Sequence, residues 1–315
     1  MTVGGAFNQL LQSVLVVAAA PLLVGWVNAC RAWLQNRSAP SVLQPYRVLR
    51  KLLHKDAAIA ANASWLFRSA PYVIFGCMCL VAGIVPVLAT DLPFALAADV
   101  IALVGVFAVA RVFISLAAMD VGTSFGTLGA RREMLIGALA EPALLIIFFT
   151  LSLISQSTSL TTIVGTLAHQ QFALYPSLAF AAVAFVMVLL AENARIPVDN
   201  PATHLELTMV HEALVLEYSA RHLALIEWAS AIKLFVYCAI GIACFAPWGI
   251  AEAGDWGAVP MAIVAAAAKL LVAGAGLALL ETVSAKMRIF RVPEFVATAF
   301  MLAMLGLLLH FVIEV

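Results

Sequence analysis

The stretch AENARIPVDNPATHLELTMVHEALVLEYSARHLALIEWA, from Ala191 to Ala229, sets Glu192, Glu206, Glu212, Glu217, Glu227, Asp199 and three histidines between two long apolar runs. Carboxyl groups crowded into apolar surroundings have displaced pKa values and can exchange protons near neutral pH. His204, His211 and Glu212 could suggest a metal. The chain has no H-E-x-x-H and no histidine pair at i,i+4, so no metal site is expected. Prolines 197 and 201 stiffen the turn around Asp199, and from Thr203 to Leu216 nothing breaks a helix. On such a helix the acids point several ways.

The ionisable residues continue into the flanking apolar runs. Asp99 and Arg111 lie in or near one, Glu141 in the next, Glu227 and Lys233 in another, and Lys269 and Glu281 in another again. A charge at the centre of a membrane helix costs roughly 2.5–3.5 kcal/mol on insertion scales, so several together imply a polar interior. Glu227 and Lys233 are six residues apart and do not share a helical face, so their partners come from other helices. The expected proton path comprises Glu141, Glu192, Asp199, Glu206, Glu212, Glu217, Glu227, Lys233, Lys269 and Glu281. Structural ion pairs and solvated loop acids are the alternatives.

The elements that must position these groups follow from composition. Of 315 residues 64% are hydrophobic and 11% charged, too apolar for a soluble core, so lipid is the solvent. The net charge of zero excludes a generally basic nucleic-acid binder. The five cysteines form no C-x-x-C pair, hence no iron–sulfur or zinc framework, and read as buried small hydrophobes. Eight runs are long enough to span: 7–30, 69–90, 95–118, 134–155, 174–194, 223–247, 259–282 and 295–313. None alternates at period two, which argues against a barrel. The expected fold is an all-α integral membrane bundle of about eight transmembrane helices with an amphipathic cytoplasmic surface helix, a single membrane domain over 1–315. No internal repeat supports an inverted-repeat transporter.

Fourteen of the 17 Lys and Arg fall in alternate loops, near 31–68, 119–133, 195–222 and 283–294. By the positive-inside rule these loops are cytoplasmic and both termini face outward. The first positive charge, Arg31, follows the first apolar run, which favours a retained helix over a cleaved signal. In the first loop, residues after Pro45 are amphipathic. Leu49, Leu52 and Leu53 share a face with Tyr46, and Arg47, Arg50, Lys51 and Lys55 face away. This fits a helix lying along lipid headgroups or docking a cytoplasmic partner. In MDVGTSFGTLGARREM the glycines at 122, 126 and 129 lack the context of a phosphate cradle and suggest tight packing against another polypeptide.

These stretches resemble the NuoH-type membrane subunit shared by respiratory complex I and the group 4 nickel–iron hydrogenases, the formate hydrogenlyase and hydrogenase-4 branch being the more similar. The first-loop signature is carried by Gln35, Asn36, Arg37, Pro40, Gln44, Pro45, Lys51 and Leu52. The second-loop signature is carried by Asp120, Gly122, Phe125, Gly129 and Arg131. AENARIPVD contributes Glu192, Arg195, Pro197 and Asp199, LEYS contributes Glu217, Tyr218 and Ser219, and ETVSAKMRIFRVPEF, at the end of the span 259–282, resembles the hydrogenase branch.

The resemblance implies a non-catalytic anchor in the cell inner membrane. Its cytoplasmic loops, through Gln35, Arg37, Pro40, Gln44, Lys51, Asp120, Arg131, Arg195 and Arg288, would dock hydrogenase-like large and small subunits and an iron–sulfur subunit. Antiporter-like membrane subunits would lie beside it. The iron–sulfur clusters and any nickel–iron centre belong to those partners, and the chain binds no cofactor of its own. A quinone-binding subunit of complex I type and a stand-alone proton or cation transporter are the alternative readings.

Overall fold

The computed structural model describes residues 3–89, 99–169, 175–199, 210–250, 257 and 259–314, and among these all regular structure is helical. The elements are α1 (Val3–Leu34), α2 (Gln44–Leu53), α3 (Trp65–Ile84), α4 (Val100–Asp120), α5 (Ser124–Ser155), α6 (Leu160–His169), α7 (Pro176–Glu192), α8 (His211–Val215), α9 (Ala220–Phe245), α10 (Val259–Val283) and α11 (Val292–Leu309). Seven of the described helices (α1, α3, α4, α5, α9, α10 and α11) are long and apolar enough to cross a membrane. The remaining expected span is α7, whose 17 residues sit at the short end of the roughly 17–25 that a bilayer requires.

Helix α9 is the centre of the bundle. Two thirds of its most apolar stretch is buried, against about a quarter for α10 and α11. α3 and α1 pack on α9, α4 lies between α3 and α5, and α7 and α11 pack on α5. The core runs through Phe67, Phe107, Ile147, Phe148, Phe185 and Tyr237.

Helix α1 carries Pro21 in its interior. A proline has no N–H to give the carbonyl four residues back. Here that carbonyl, of Val17, accepts from the indole of Trp228 on α9 at 2.9 Å. The next carbonyl, of Ala18, accepts from the Tyr46 hydroxyl on α2. The amphipathic helix is thus fastened to α1 beside its proline. Its Leu49 is buried, Leu52 half-buried and Leu53 exposed, so the apolar face expected from the sequence is only partly covered by protein. At Gly25 the backbone of Val42 comes so close that an added Cβ would collide with its carbonyl.

The second basic loop is shorter than the sequence suggests. Thr123 caps α5, its hydroxyl accepting from Gly126 N–H at 3.3 Å, so Arg131 and Arg132 lie within the helix and only 121–123 connect α4 to α5. Gly126 and Gly129 are points of close contact within this chain. Cβ atoms there would meet the Ala118 carbonyl and the backbone of α8 respectively. Of the expected helix from Thr203 to Leu216, the described part is α8; residues 203–209, including Glu206, lie outside the described residues.

Candidate functional site

The site is built around Arg111, in the middle of α4, with a side chain 6% exposed. Its guanidinium donates to Glu141 on α5 and to Glu192 at the end of α7, and its Nε lies 3.5 Å from Glu133 on α5. Glu133, Gly137 and Glu141 repeat at four-residue intervals and so share one helical face. A Cβ on Gly137 would occupy the place of the guanidinium, so the glycine makes the notch in which Arg111 lies between two carboxylates.

Glu192 has a second cation. Lys233 on α9 sits 2.9 Å from its carboxylate and donates to its backbone carbonyl at 2.7 Å. A carboxylate at a helix C-terminus is opposed by the helix dipole, and the two cations offset that as well as its burial. The Lys233 ammonium is 6.0 Å from the ring of Tyr237, which packs between Phe107 and Phe185. Three carboxylates and two cations therefore meet here, Arg111 and Glu192 buried and Glu133, Glu141 and Lys233 half-buried. One proton taken up or released moves the set between neutral and a single negative charge.

A second ion cluster lies toward the loops. Glu281, near the end of α10 and buried, is bracketed by Arg195 at 3.2 Å and Arg31 at 3.5 Å. Both arginines border a cavity of about 610 Å3 framed by α1, the 35–45 segment, α2, the 193–199 turn and α9. Arg37, Gln44, Asp199, Glu212 and Glu227 also line it.

Other expected residues have local structural duties. The Asp199 carboxylate accepts from the backbone N–H groups of Val210 and His211 at 3.3 and 3.1 Å, which fixes the start of α8. Asp120 accepts from Ser64 N–H at 2.8 Å, at the cap of α3. Tyr218 stacks on Phe67 with centroids 4.0 Å apart and donates to the Phe67 carbonyl at 3.0 Å. Burial, and then the Asp120 carboxylate, raise the Tyr218 phenol above its ordinary value and keep it a donor. Ser219 binds both backbone groups of Ala58. Loops one and three are thereby tied together, with Glu217 exposed on the outside.

Lys269 is not brought to the Arg111 cluster. Its ammonium donates to the carbonyls of Ala246 and Trp248 at the far end of α9. Ala246 is 13 residues beyond Lys233, about 20 Å along a helix axis. Asp99 caps α4, its carboxylate accepting from Ile101 N–H at 3.1 Å. The structure thus brings Glu141, Glu192 and Lys233 into one cluster and places Glu281, Asp199, Glu212 and Glu227 around the cavity. Gln35, Arg37, Pro40, Gln44, Lys51, Arg131 and Arg288 are exposed, and Arg195 is half-buried. Arg111 is recognised in the sequence only as an in-span charge, and Glu133 and Gly137 are not among the expected residues. Their four-residue spacing was the available signal. Among the described residues no group of three or more His, Cys, Asp and Glu is arranged to hold a metal.

The profile of the NADH dehydrogenase family matches residues 8–312. The chain belongs to this family. Within the NADH dehydrogenase family, the chain is similar to formate hydrogenlyase subunit 4 of Escherichia coli strain K12, at 32% identity over 297 residues, 94% of this chain and 96% of the relative. It is also similar to hydrogenase-4 component C of the same organism, at 33% identity over 244 residues, 77% of this chain and 76% of the relative. Among solved structures, an archaeal respiratory membrane complex, the membrane-bound sulfane sulfur reductase, contains a chain of the same fold. The TM-score is 0.79 at 17% identity, covering 97% of this chain and 99% of that one. The multi-pass all-α architecture of this family member is therefore shared along almost its whole length.

Proposed function

We propose that this chain is the membrane anchor and coupling subunit of an oxidoreductase of the hydrogenase-4, formate hydrogenlyase or complex I type. The single observation that carries the reading is the cluster of Arg111, Glu133, Glu141, Glu192 and Lys233, built on the buried Arg111–Glu192 pair and set beside a cavity that opens under the basic loops. Burying that pair costs several kcal/mol per ion, and the one-proton imbalance of the set suits it to take up and release charge. The names of the two relatives, a formate hydrogenlyase subunit and a hydrogenase-4 component, support an anchor over a stand-alone transporter.

In this reading the exposed residues Gln35, Arg37, Pro40, Gln44, Lys51, Arg131 and Arg288 face a peripheral arm of large, small and iron–sulfur subunits, which carries the redox cofactors. The Arg111 cluster passes the redox signal toward neighbouring antiporter-like subunits as proton or sodium movement. The chain lies in the cell inner membrane with its basic loops on the cytoplasmic side and both termini outside. The test is Glu192→Gln and Glu141→Gln in the complex, with assembly and ion-coupled turnover measured together. The expected result is intact assembly and a coupled activity roughly tenfold or more lower, the low end of acid–base contributions. Full coupling in both variants would overturn the reading.

The 610 Å3 cavity favours a second reading, a quinone-binding subunit of the complex I type, because its volume suits a drug-sized ligand. Photolabelling of the assembled complex with an azidoquinone separates the two, since labelling at Gln44 or Glu227 supports quinone chemistry here.

A further inference from the structure

Two cavities share a wall. The large one, of about 610 Å3, and a smaller one of about 70 Å3 bordered by Arg111, Glu133, Glu192 and Lys233 are both lined by Asn193, Ala194, His211 and Ser230. The wall thus presents an amide, a methyl, an imidazole and a hydroxyl. Of these only the imidazole can accept a proton on one nitrogen while releasing one from the other. The smaller cavity has room for more than one water, enough to relay a proton from the wall to a carboxylate.

The position of His211 is held from two sides. Its backbone N–H donates to the buried Asp199 carboxylate at 3.1 Å. Its helix, α8, is seated on Gly129 of α5, where any Cβ would press against Ala213 and the Leu214 backbone. A side chain at the first position of so short a helix would otherwise be free to leave the wall.

We propose that His211 is the proton-transfer residue joining the loop-side cavity to the Arg111 cluster. The inference rests on the coupling role proposed above and names the residue through which that role is reached. One ring nitrogen takes a proton from a hydronium ion in the large cavity, leaving water. The other nitrogen gives up its proton through the small cavity to the Glu133 carboxylate, which becomes neutral. The imidazole ends neutral in its other tautomer, and a ring flip restores it. Only protons move, and no redox partner is required.

The test uses the assembled complex in liposomes, with a pH-sensitive dye reporting proton movement during turnover. His211→Ala should assemble and lose at least tenfold in coupled proton movement. Added imidazole should restore part of the loss. Pyrazole, the same size but barely basic at neutral pH, should not. His211→Gln, which keeps the volume without the titration, should lose coupling likewise, and it carries the test if the alanine variant does not assemble. Full coupling in His211→Gln overturns the proposal. So does a loss in His211→Ala that both rings repair or that neither repairs, because that describes packing. Glu192→Gln run in parallel separates the two claims. If it keeps full coupling, the coupling role itself fails. If it is uncoupled while the His211 variants are not, only the role of His211 fails.

Discussion

Trp228 donates its indole N–H to the carbonyl of Val17 at 2.9 Å, the group that Pro21 leaves without a helical partner. Removing the donor leaves a polar group stranded in an apolar surrounding, at a cost of about 1–3 kcal/mol. Trp228→Phe should therefore lower the melting temperature of the purified subunit, and Pro21→Ala in the same chain should recover part of the loss by restoring the helical bond. Equal stability of Trp228→Phe and the unsubstituted protein would show that the carbonyl finds another donor.

Gly137→Ala should displace the Arg111 guanidinium from its notch between Glu133 and Glu141. Coupled turnover should fall by about tenfold, a modest acid–base effect. Gly76→Ala is the control, because a Cβ at Gly76 meets nothing within 4 Å. The two variants should differ in coupling, and matching activities would count against the notch.

Arg111→Met leaves the buried Glu192 carboxylate and the half-buried Glu133 and Glu141 without their shared cation. Breaking a buried ion pair from one side costs about 3–5 kcal/mol, so the variant should accumulate poorly in membranes. Arg111→Met combined with Glu192→Gln should accumulate better than Arg111→Met alone. Quantitative immunoblots of washed membranes read both.

Tyr218 is a neutral donor whose folded phenol is raised above the unfolded value of 10.0 by burial. A raised value means that its contribution is complete below about pH 10 and is lost as pH climbs through the folded value. Tyr218→Phe retains the stack on Phe67, loses the hydrogen bond at about 1 kcal/mol, and should flatten the alkaline limb of a stability–pH curve measured by thermal unfolding.

Cysteine introduced at Ser38 and at Ser157 should react with impermeant reagents from opposite sides of the membrane. The expectation follows from the alternate-loop charges. Labelling of both from one side would reverse the assigned topology.

Much of the fold was legible because lipid imposes a length on every apolar run. Spans 223–247 and 259–282 match α9 and α10 to within about three residues at each end. The start of α5 was not legible: Gly126 and Gly129 look like loop residues until the Ala118 carbonyl and α8 are seen pressed against them. The in-span acids announced a polar interior, yet their pairing depends on contacts between α4, α5, α7 and α9, which no local pattern encodes. The Glu133, Gly137 and Glu141 spacing was readable only with Arg111 in mind. Lys269 resembles Lys233 in sequence, each a lysine inside an apolar run. What separates them is that one meets a carboxylate and the other meets the carbonyls at the end of α9.

The two ion clusters have opposite surpluses. Arg31 and Arg195 outnumber Glu281, whereas Glu133, Glu141 and Glu192 outnumber Arg111 and Lys233. Asp199, Glu212 and Glu227 line the same cavity as Glu281, so the contrast belongs to the ion pairs themselves and not to the two cavities. Glu281 sits in a clamp with one cation to spare, and Arg111 in a set with one acid to spare. Each is eased by a mobile charge of the opposite sign close by: the one favours a visiting anion, the other a visiting cation.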